Sequence, residues 1–146
     1  MENNEIVEFH LSLPCQDIIE TIKFYRDELG FDVGRQAYNW VDINFFGNQI
    51  TFYQNPNSKI ISGNYMLDDQ LLPIFHIGVI LDRKNWNIQL GKYLKKQFLE
   101  IEPTIFLKNK IGEHDSFFVK DPNNYCLEFK SFKDATEIFQ KQHIEA

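Results

Sequence analysis

The chain has 146 residues, 43% hydrophobic and 15% aromatic, and carries a net charge of −6. This length suits one domain whose core needs no disulfides, and scattered basic residues on an acidic chain argue against nucleic-acid or anionic-membrane surfaces. The chain has two cysteines, no charged-then-apolar leader and no apolar run near the roughly 20 residues that span a bilayer. These features predict a cytoplasmic protein without a disulfide framework.

The first part of the chain predicts one helix between strands. Residues 6–13 alternate apolar and polar side chains, as a strand does, and Pro14 ends the pattern. Asp17 and Glu20 form a capping-box pattern that begins a helix, and Gly30 closes it. Three further strands are predicted at residues 31–36, 40–46 and 49–54.

The second part predicts the same order of elements. A strand at 74–81 leads through Asp82, a predicted N-cap, into a helix whose exit is marked by Pro103. Three strands are predicted to follow, near residues 104–110, 115–120 and 125–131. The order βαβββ therefore occurs twice.

This duplication predicts an α+β fold of paired βαβββ modules that form a cupped mixed sheet. The modules cover about residues 5–54 and 74–131, within a single domain of residues 1–146. A polar linker at 55–73 joins them. A C-terminal helix is predicted at 133–142.

Three polar side chains stand at equivalent places in the predicted strands. His10 and His76 occupy matching positions in two similar apolar segments, and Glu128 lies in a third. Alternation with period two puts all three on the face away from the helices. Two histidines and one carboxylate on a common face predict a mononuclear site for a divalent metal. The structural alternative for Glu128 is a salt bridge with Lys130 or Arg26.

Three more residues face or flank the predicted cavity. His114 begins a predicted hairpin, where it is either a catalytic residue or a surface loop residue. Tyr53 and Cys126 are candidate substrate-binding residues, and the alternative is that they are a core tyrosine and an inert buried thiol.

The sequence resembles the vicinal oxygen chelate superfamily, which includes glyoxalase I, extradiol dioxygenases, and bleomycin- and fosfomycin-resistance proteins. The resemblance spans about residues 5–131 and rests on four segments: the His10 strand, Phe24-Tyr25-x-x-x-Leu29-Gly30-Phe31, Phe75-His76-Ile77-Gly78-Val79, and residues 121–129 from Asp121 to Phe129. It implies a divalent metal held by His10, His76 and Glu128, with Fe²⁺ or Mn²⁺ favoured and Zn²⁺ or Ni²⁺ as alternatives. It also implies a small-molecule substrate whose adjacent oxygens chelate the metal, and a homodimer.

Departures from the family pattern narrow the predicted activity. Glyoxalase I typically has a fourth ligand where this chain has Phe52. The three-ligand extradiol dioxygenases place a tyrosine at Phe118, here a candidate substrate-binding residue, and a histidine at Asn109, near His114. The resemblance implies a dioxygenase-like oxidoreductase first. A glyoxalase-type lyase or isomerase comes second, and a non-catalytic ligand-binding protein of the bleomycin-resistance kind comes third.

Overall fold

The computed structural model describes residues 6–141, which contain two four-stranded sheets and a separate two-stranded hairpin. The chain divides into two compact units: the first ends at Ile60, and the second begins at Ile61. Mixed sheets with few helices confirm the α+β fold that the repeat predicts. No helix among residues 6–141 is both long enough and apolar enough to cross a bilayer.

The first unit contains one helix and one sheet. Its elements are β1 (His10–Cys15), α1 (Ile18–Ile22), β2 (Val33–Ala37), β3 (Trp40–Phe45) and β4 (Asn48–Gln54). The sheet order is β1-β4-β3-β2, in which β1 runs parallel to β4 and the other pairs are antiparallel. The apolar side chains of β3 and β4 alternate along each strand as predicted, with Val41, Ile43, Ile50 and Phe52 buried on one face, while Asp42 and Thr51 are buried on the other.

The predicted helix boundaries are confirmed in the first unit. The Asp17 carboxylate accepts a hydrogen bond from the Glu20 backbone N–H at 2.9 Å, and Gly30 has the left-handed φ of +79° that ends a helix. After α1 the chain continues as a wider π-helical segment, Lys23–Glu28. Phe24 and Tyr25 of this segment are buried.

The second unit begins with a hairpin and then repeats the module. Its elements are β5 (Asn64–Leu67), β6 (Gln70–Pro73), β7 (His76–Ile80), α2 (Arg83–Tyr93), β8 (Leu99–Phe106), β9 (His114–Lys120) and β10 (Cys126–Phe132). The order of the large sheet is β7-β10-β9-β8, and β7 runs parallel to β10. Asp82 caps α2, as predicted, by accepting from the Asn85 backbone N–H at 2.8 Å.

The two strand prolines differ from their predicted roles. Pro14 lies inside β1 rather than ending it, and Pro103 lies inside β8 rather than at the exit of the helix. Both strands are at sheet edges, where a missing backbone N–H need not break the pairing. The register of β8 against β9 also shifts between Ile101 and Thr104, which accommodates Pro103.

The segment predicted as a linker, 55–73, contains the β5–β6 hairpin. Its turn residues Asp68 and Asp69 both have left-handed φ values, 48° and 64°, as in the two-residue turns that suit hairpins. An Asp-Asp turn lacks the glycine by which such turns are usually recognised, so the sequence pattern did not reveal it.

The predicted C-terminal helix 133–142 is reduced to a 3-10 turn at Ala135–Glu137, and residue 142 lies outside the described residues. The Asp134 carboxylate caps this turn at the Thr136 backbone N–H, while the Glu137 carboxylate accepts from the Gly112 N–H at 2.7 Å. Phe139 is 93% exposed, so the segment gains no apolar packing that would extend the helix.

Candidate functional site

The centre of the candidate site is a histidine–carboxylate pair in the second unit. His76 on β7 and Glu128 on β10 point to the same face, with 3.0 Å between His76 Nε2 and Glu128 Oε2. Gly78 lies directly opposite Glu128, and a Cβ at Gly78 would stand 2.7 Å from the Glu128 carbonyl oxygen. Glycine is therefore required for the close approach of the two strands at this point.

Neighbouring groups fix the orientation of both side chains. The Pro73 carbonyl oxygen lies 2.8 Å from His76 Nδ1, and because a carbonyl only accepts, Nδ1 carries a proton. The Ser116 hydroxyl donates to Glu128 Oε1 at 2.7 Å, and Lys130 Nζ lies 3.8 Å from the same oxygen. The predicted Lys130 salt bridge is thus present alongside the His76 contact.

Each partner favours the charged form of the other. The hydrogen bond to Glu128 raises the pKa of His76 above its ordinary value, against the opposing effect of burial. Burial works to raise the pKa of Glu128, but the hydrogen bond from His76, the charge of Lys130 and the Ser116 hydroxyl together lower it. Both shifts favour a hydrogen bond from protonated His76 to the Glu128 carboxylate, which is only 7% exposed.

The β5–β6 hairpin lies over the face that carries the pair. The Tyr65 ring stacks on the His76 ring, with centroids 6.5 Å apart and planes at 23°. Burial, and then the charge of Glu128, raise the pKa of the Tyr65 hydroxyl. Next to this contact, Leu72 is buried in an apolar cluster with Phe106, Phe118 and Cys126. The hairpin therefore covers part of the candidate site.

The predicted substrate-binding residues lie in different surroundings. Phe118 and Cys126 belong to the buried cluster beneath Leu72, and burial raises the pKa of the Cys126 thiol. In the first unit, Tyr53 is exposed on β4, with its ring centroid 6.4 Å from that of Trp40. Substrate contact by these three residues stays a prediction.

His114 is buried on β9 rather than lying in a surface loop. Its ring packs between Phe106 and Phe132, at centroid distances of 5.5 and 5.3 Å, and its Nδ1 lies 2.7 Å from the Gly112 carbonyl oxygen. The carbonyl places the proton on Nδ1, which leaves Nε2 as the unprotonated nitrogen of the neutral ring. A catalytic role for His114 stays a prediction.

The pH dependence of stability tests the environment of His114. Burial lowers the pKa of His114 below 6.5, a shift that Lys130 strengthens and that Gly112, Glu128 and Asp115 oppose. Below pH 6.5 the unfolded chain takes up a proton that the folded chain resists, so the wild type should lose stability relative to His114→Gln as the pH falls. Urea unfolding of both proteins between pH 8 and pH 5 measures this difference, in which the shared titration of His76 cancels. A difference that stays constant with pH would contradict the prediction.

The third predicted ligand, His10, belongs to the first unit. It is exposed on β1, opposite Gln49 of β4. Thr51 stands opposite Ser12 on these strands, as Glu128 stands opposite Gly78 in the second unit. Thr51 carries no carboxylate and donates to Asp42 at 2.6 Å. Within either unit, residues 6–141 hold no group of three or more His, Cys, Asp or Glu side chains arranged for a metal ion.

The chain thus has an α+β fold of two βαβββ modules, and one of its sheets carries a histidine–carboxylate pair. A model of the Glyoxalase/Bleomycin resistance protein/Dioxygenase superfamily matches residues 9–129, and the chain belongs to this superfamily. No curated protein matches the chain.

Solved structures share the fold. A glyoxalase/bleomycin resistance protein/dioxygenase from Alicyclobacillus acidocaldarius is 24% identical, with a TM-score of 0.78, and the match covers 94% of this chain and all of that one. A virulence protein from Salmonella typhimurium is 21% identical, with a TM-score of 0.59 and coverage of 90% and 99%. A superfamily member from Nocardioides is 11% identical, with a TM-score of 0.67 and coverage of 97% and 93%.

Proposed function

We propose that this protein is a metal-dependent, dioxygenase-like enzyme that acts on a small substrate with adjacent oxygens. The observation that carries the proposal is the His76–Glu128 pair, with 3.0 Å between the two atoms that would bind the metal. Membership of the superfamily supports a small-molecule substrate. On the family resemblance, His10 is proposed as the third ligand, with Fe²⁺ or Mn²⁺ as the metal. A homodimer is proposed on the same ground, and a cytoplasmic location is proposed from the composition of the chain.

The donor set fits a divalent cation. The Pro73 carbonyl holds the proton on His76 Nδ1, so that Nε2 is the nitrogen that faces the carboxylate, as in histidines that bind metals. Ser116 holds one Glu128 oxygen and leaves the other beside His76. A buried carboxylate needs a positive partner, which Lys130 or protonated His76 supplies without metal and which a bound cation would also supply.

A bound divalent metal would supply Lewis acidity and a template for adjacent substrate oxygens. Pro73 and Ser116 orient the proposed ligands His76 and Glu128. His76 must lose its Nε2 proton before that nitrogen can coordinate, so uptake should weaken as the pH falls. A four-ligand lyase has less support than the three-ligand enzyme, because Thr51 occupies the place equivalent to Glu128 and bonds to Asp42.

Metal content of anaerobically purified protein tests the proposal. We expect close to one metal ion per chain in the wild type. Glu128→Gln and His10→Ala should each weaken metal affinity by about tenfold or more, since even residues behind the ligands typically contribute that much. Elemental analysis and a competing chelator measure stoichiometry and affinity, and oxygen uptake with catechol measures turnover.

The control is Glu100→Gln, which removes the same charge from an exposed residue of the second unit whose partner is Lys120. It should leave the metal content unchanged. A Glu128→Gln protein that retains one tightly bound ion per chain would contradict the proposal.

A further inference from the structure

We propose that the first unit contains an anion subsite in which Arg35 binds a carboxylate group of the small molecule. This inference rests on the proposed function, which supplies the other half of the ligand: the adjacent oxygens that bind the metal. It names the substrate class as a small carboxylic acid that also carries adjacent oxygens.

Asp42 anchors the subsite. It is only 6% exposed, and both of its carboxylate oxygens accept hydrogen bonds. Oδ1 accepts from the Thr51 hydroxyl at 2.6 Å, while Oδ2 accepts from Arg35 Nε at 3.0 Å and from Gln49 Nε2 at 3.1 Å. Asp42 therefore orients three donor side chains, and Arg35 is the only charged donor of the three.

The pKa of Asp42 agrees with this role. Burial alone would raise the pKa of this carboxyl group, but the hydrogen bonds from Thr51 and Arg35 outweigh burial and lower it. Asp42 therefore remains ionised and holds Arg35 at neutral pH.

A β-bulge directs Arg35 to this face. Val33 pairs with Ile43 and Gln36 pairs with Val41, so β2 takes three residue steps where β3 takes two. The extra residue breaks the alternation of β2 and lets Arg35 reach the Asp42 side of the sheet. Gly34 shares this bulge, and a Cβ there would stand in van der Waals contact with Asp42 Cβ, at 3.4 Å.

The free end of Arg35 matches a carboxylate. Only Nε contacts Asp42, which leaves the N–H groups of Nη1 and Nη2 as donors, and the side chain is 77% exposed. The guanidinium lies over the Trp40 ring, 5.7 Å from its centroid, which restricts its plane. A planar guanidinium fork held at one nitrogen and stacked on a ring is suited to bind a carboxylate through two parallel hydrogen bonds.

The fork opens onto a cavity in the first unit. The cavity has a volume of about 300 Å³, at the lower end of the range for small-molecule sites, and its polar lining includes Glu8, Arg35, Asp42, Asn44, Asn48 and Gln49. Gln49 is the register partner of His10. A molecule held by Arg35 would thus extend along the sheet face that carries the predicted ligand.

The two charges of the Arg35–Asp42 pair differ in their exposure to solvent. The negative charge of Asp42 is buried and satisfied by hydrogen bonds, whereas the positive charge of Arg35 is exposed to the ligand. Glu8 is exposed at the cavity and would repel an anion. Glu8→Gln should therefore strengthen carboxylate binding.

Three aromatic probes separate this inference from the proposed function. Benzoate carries only the carboxylate, catechol carries only adjacent oxygens, and 3,4-dihydroxybenzoate carries both. Calorimetric titration of metal-loaded protein should show that Arg35→Gln weakens benzoate and 3,4-dihydroxybenzoate binding by about tenfold or more, as expected for a charged hydrogen bond. Catechol binding should be unchanged. Backbone amide shifts of Gly34 and Gly47 on benzoate addition would locate the subsite, because both residues line the cavity or its bulge.

The matched control is Arg26→Gln, which removes the same charge from an arginine of the first unit whose partner is Asp27. It should leave all three affinities unchanged, and Arg35→Lys should recover only part of the loss. Equal benzoate affinity in the wild type and Arg35→Gln would overturn the inference. Arg35-dependent benzoate binding without any catechol binding would support the subsite and count against the proposed function instead.

Discussion

Replacing Phe129 by alanine is expected to lower the free energy of unfolding by about 3–5 kcal/mol. The Phe129 ring is fully buried and stacks face to face on Phe117, with centroids 4.9 Å apart and planes at 5°. Tyr93 of α2 packs beside it at 5.6 Å. Truncation would remove the ring that joins the sheet of the second unit to its helix and leave a cavity that stacked aromatic neighbours cannot close.

Phe129 follows Glu128 on β10, and the Trp86 indole N–H donates to the Phe129 carbonyl at 2.8 Å. Loss of the Phe129 ring should therefore also disturb the strand that positions Glu128. Urea unfolding of metal-free protein measures the loss. Phe139→Ala is the matched control, since Phe139 is 93% exposed, and we expect a change within about 0.5 kcal/mol. Similar losses in both variants would contradict this view of the core.

The sequence predicted most of the sheet because alternation is a local property of each strand. In β3, Val41 and Ile43 are buried on one face and Asn44 is exposed on the other, as period two requires. The same rule placed His76 and Glu128 on one face, and their side chains meet there. Phe9 is exposed and precedes β1, so the alternation extended further than the strand itself.

What the sequence did not predict depends on contacts between distant residues. The Arg35–Asp42 ion pair escaped notice because the bulge in β2 breaks the period on which face assignment relies. Alternation places Asp42 on the polar face of β3, but its partners on β2 and β4 follow from strand pairing, which periodicity does not fix. Tyr65 was missed for a similar reason, since it belongs to a hairpin whose Asp68-Asp69 turn gives no glycine signal.

The alternation rule found the His76–Glu128 pair but not the residues around it, and the sheet shows why. His76 and Glu128 lie in strands that are neighbours in the sheet, and Gly78 allows the close approach of these strands at Glu128. Ser116 of β9, which donates to Glu128, is a small polar residue directly before the apolar run 117–119. Such a residue signals a buried hydrogen bond only when the partner strand is known.

Leu72→Ala is expected to lower the free energy of unfolding by about 2–5 kcal/mol and to loosen the hairpin over the candidate site. Leu72 is 2% exposed within the cluster of Phe106, Phe118 and Cys126, and it pairs with Tyr65 across the hairpin. A two-stranded hairpin is marginal on its own, so this buried side chain supplies much of what holds β5 and β6 in place. Tyr65 should then leave the His76 ring more often.

The matched control is Leu71→Ala, the same change one residue earlier on the opposite face, where the side chain is 60% exposed. Hydrogen exchange at 64–73 should rise about tenfold or more in Leu72→Ala, since each 1.4 kcal/mol of lost local stability is a factor of ten, and should change little in Leu71→Ala. Metal uptake by Leu72→Ala should also be faster, because opening the hairpin exposes His76 and Glu128 to solvent. Unchanged exchange in Leu72→Ala would mean that the Asp68 contact with the Leu107 backbone N–H, at 2.5 Å, holds the hairpin without the buried leucine.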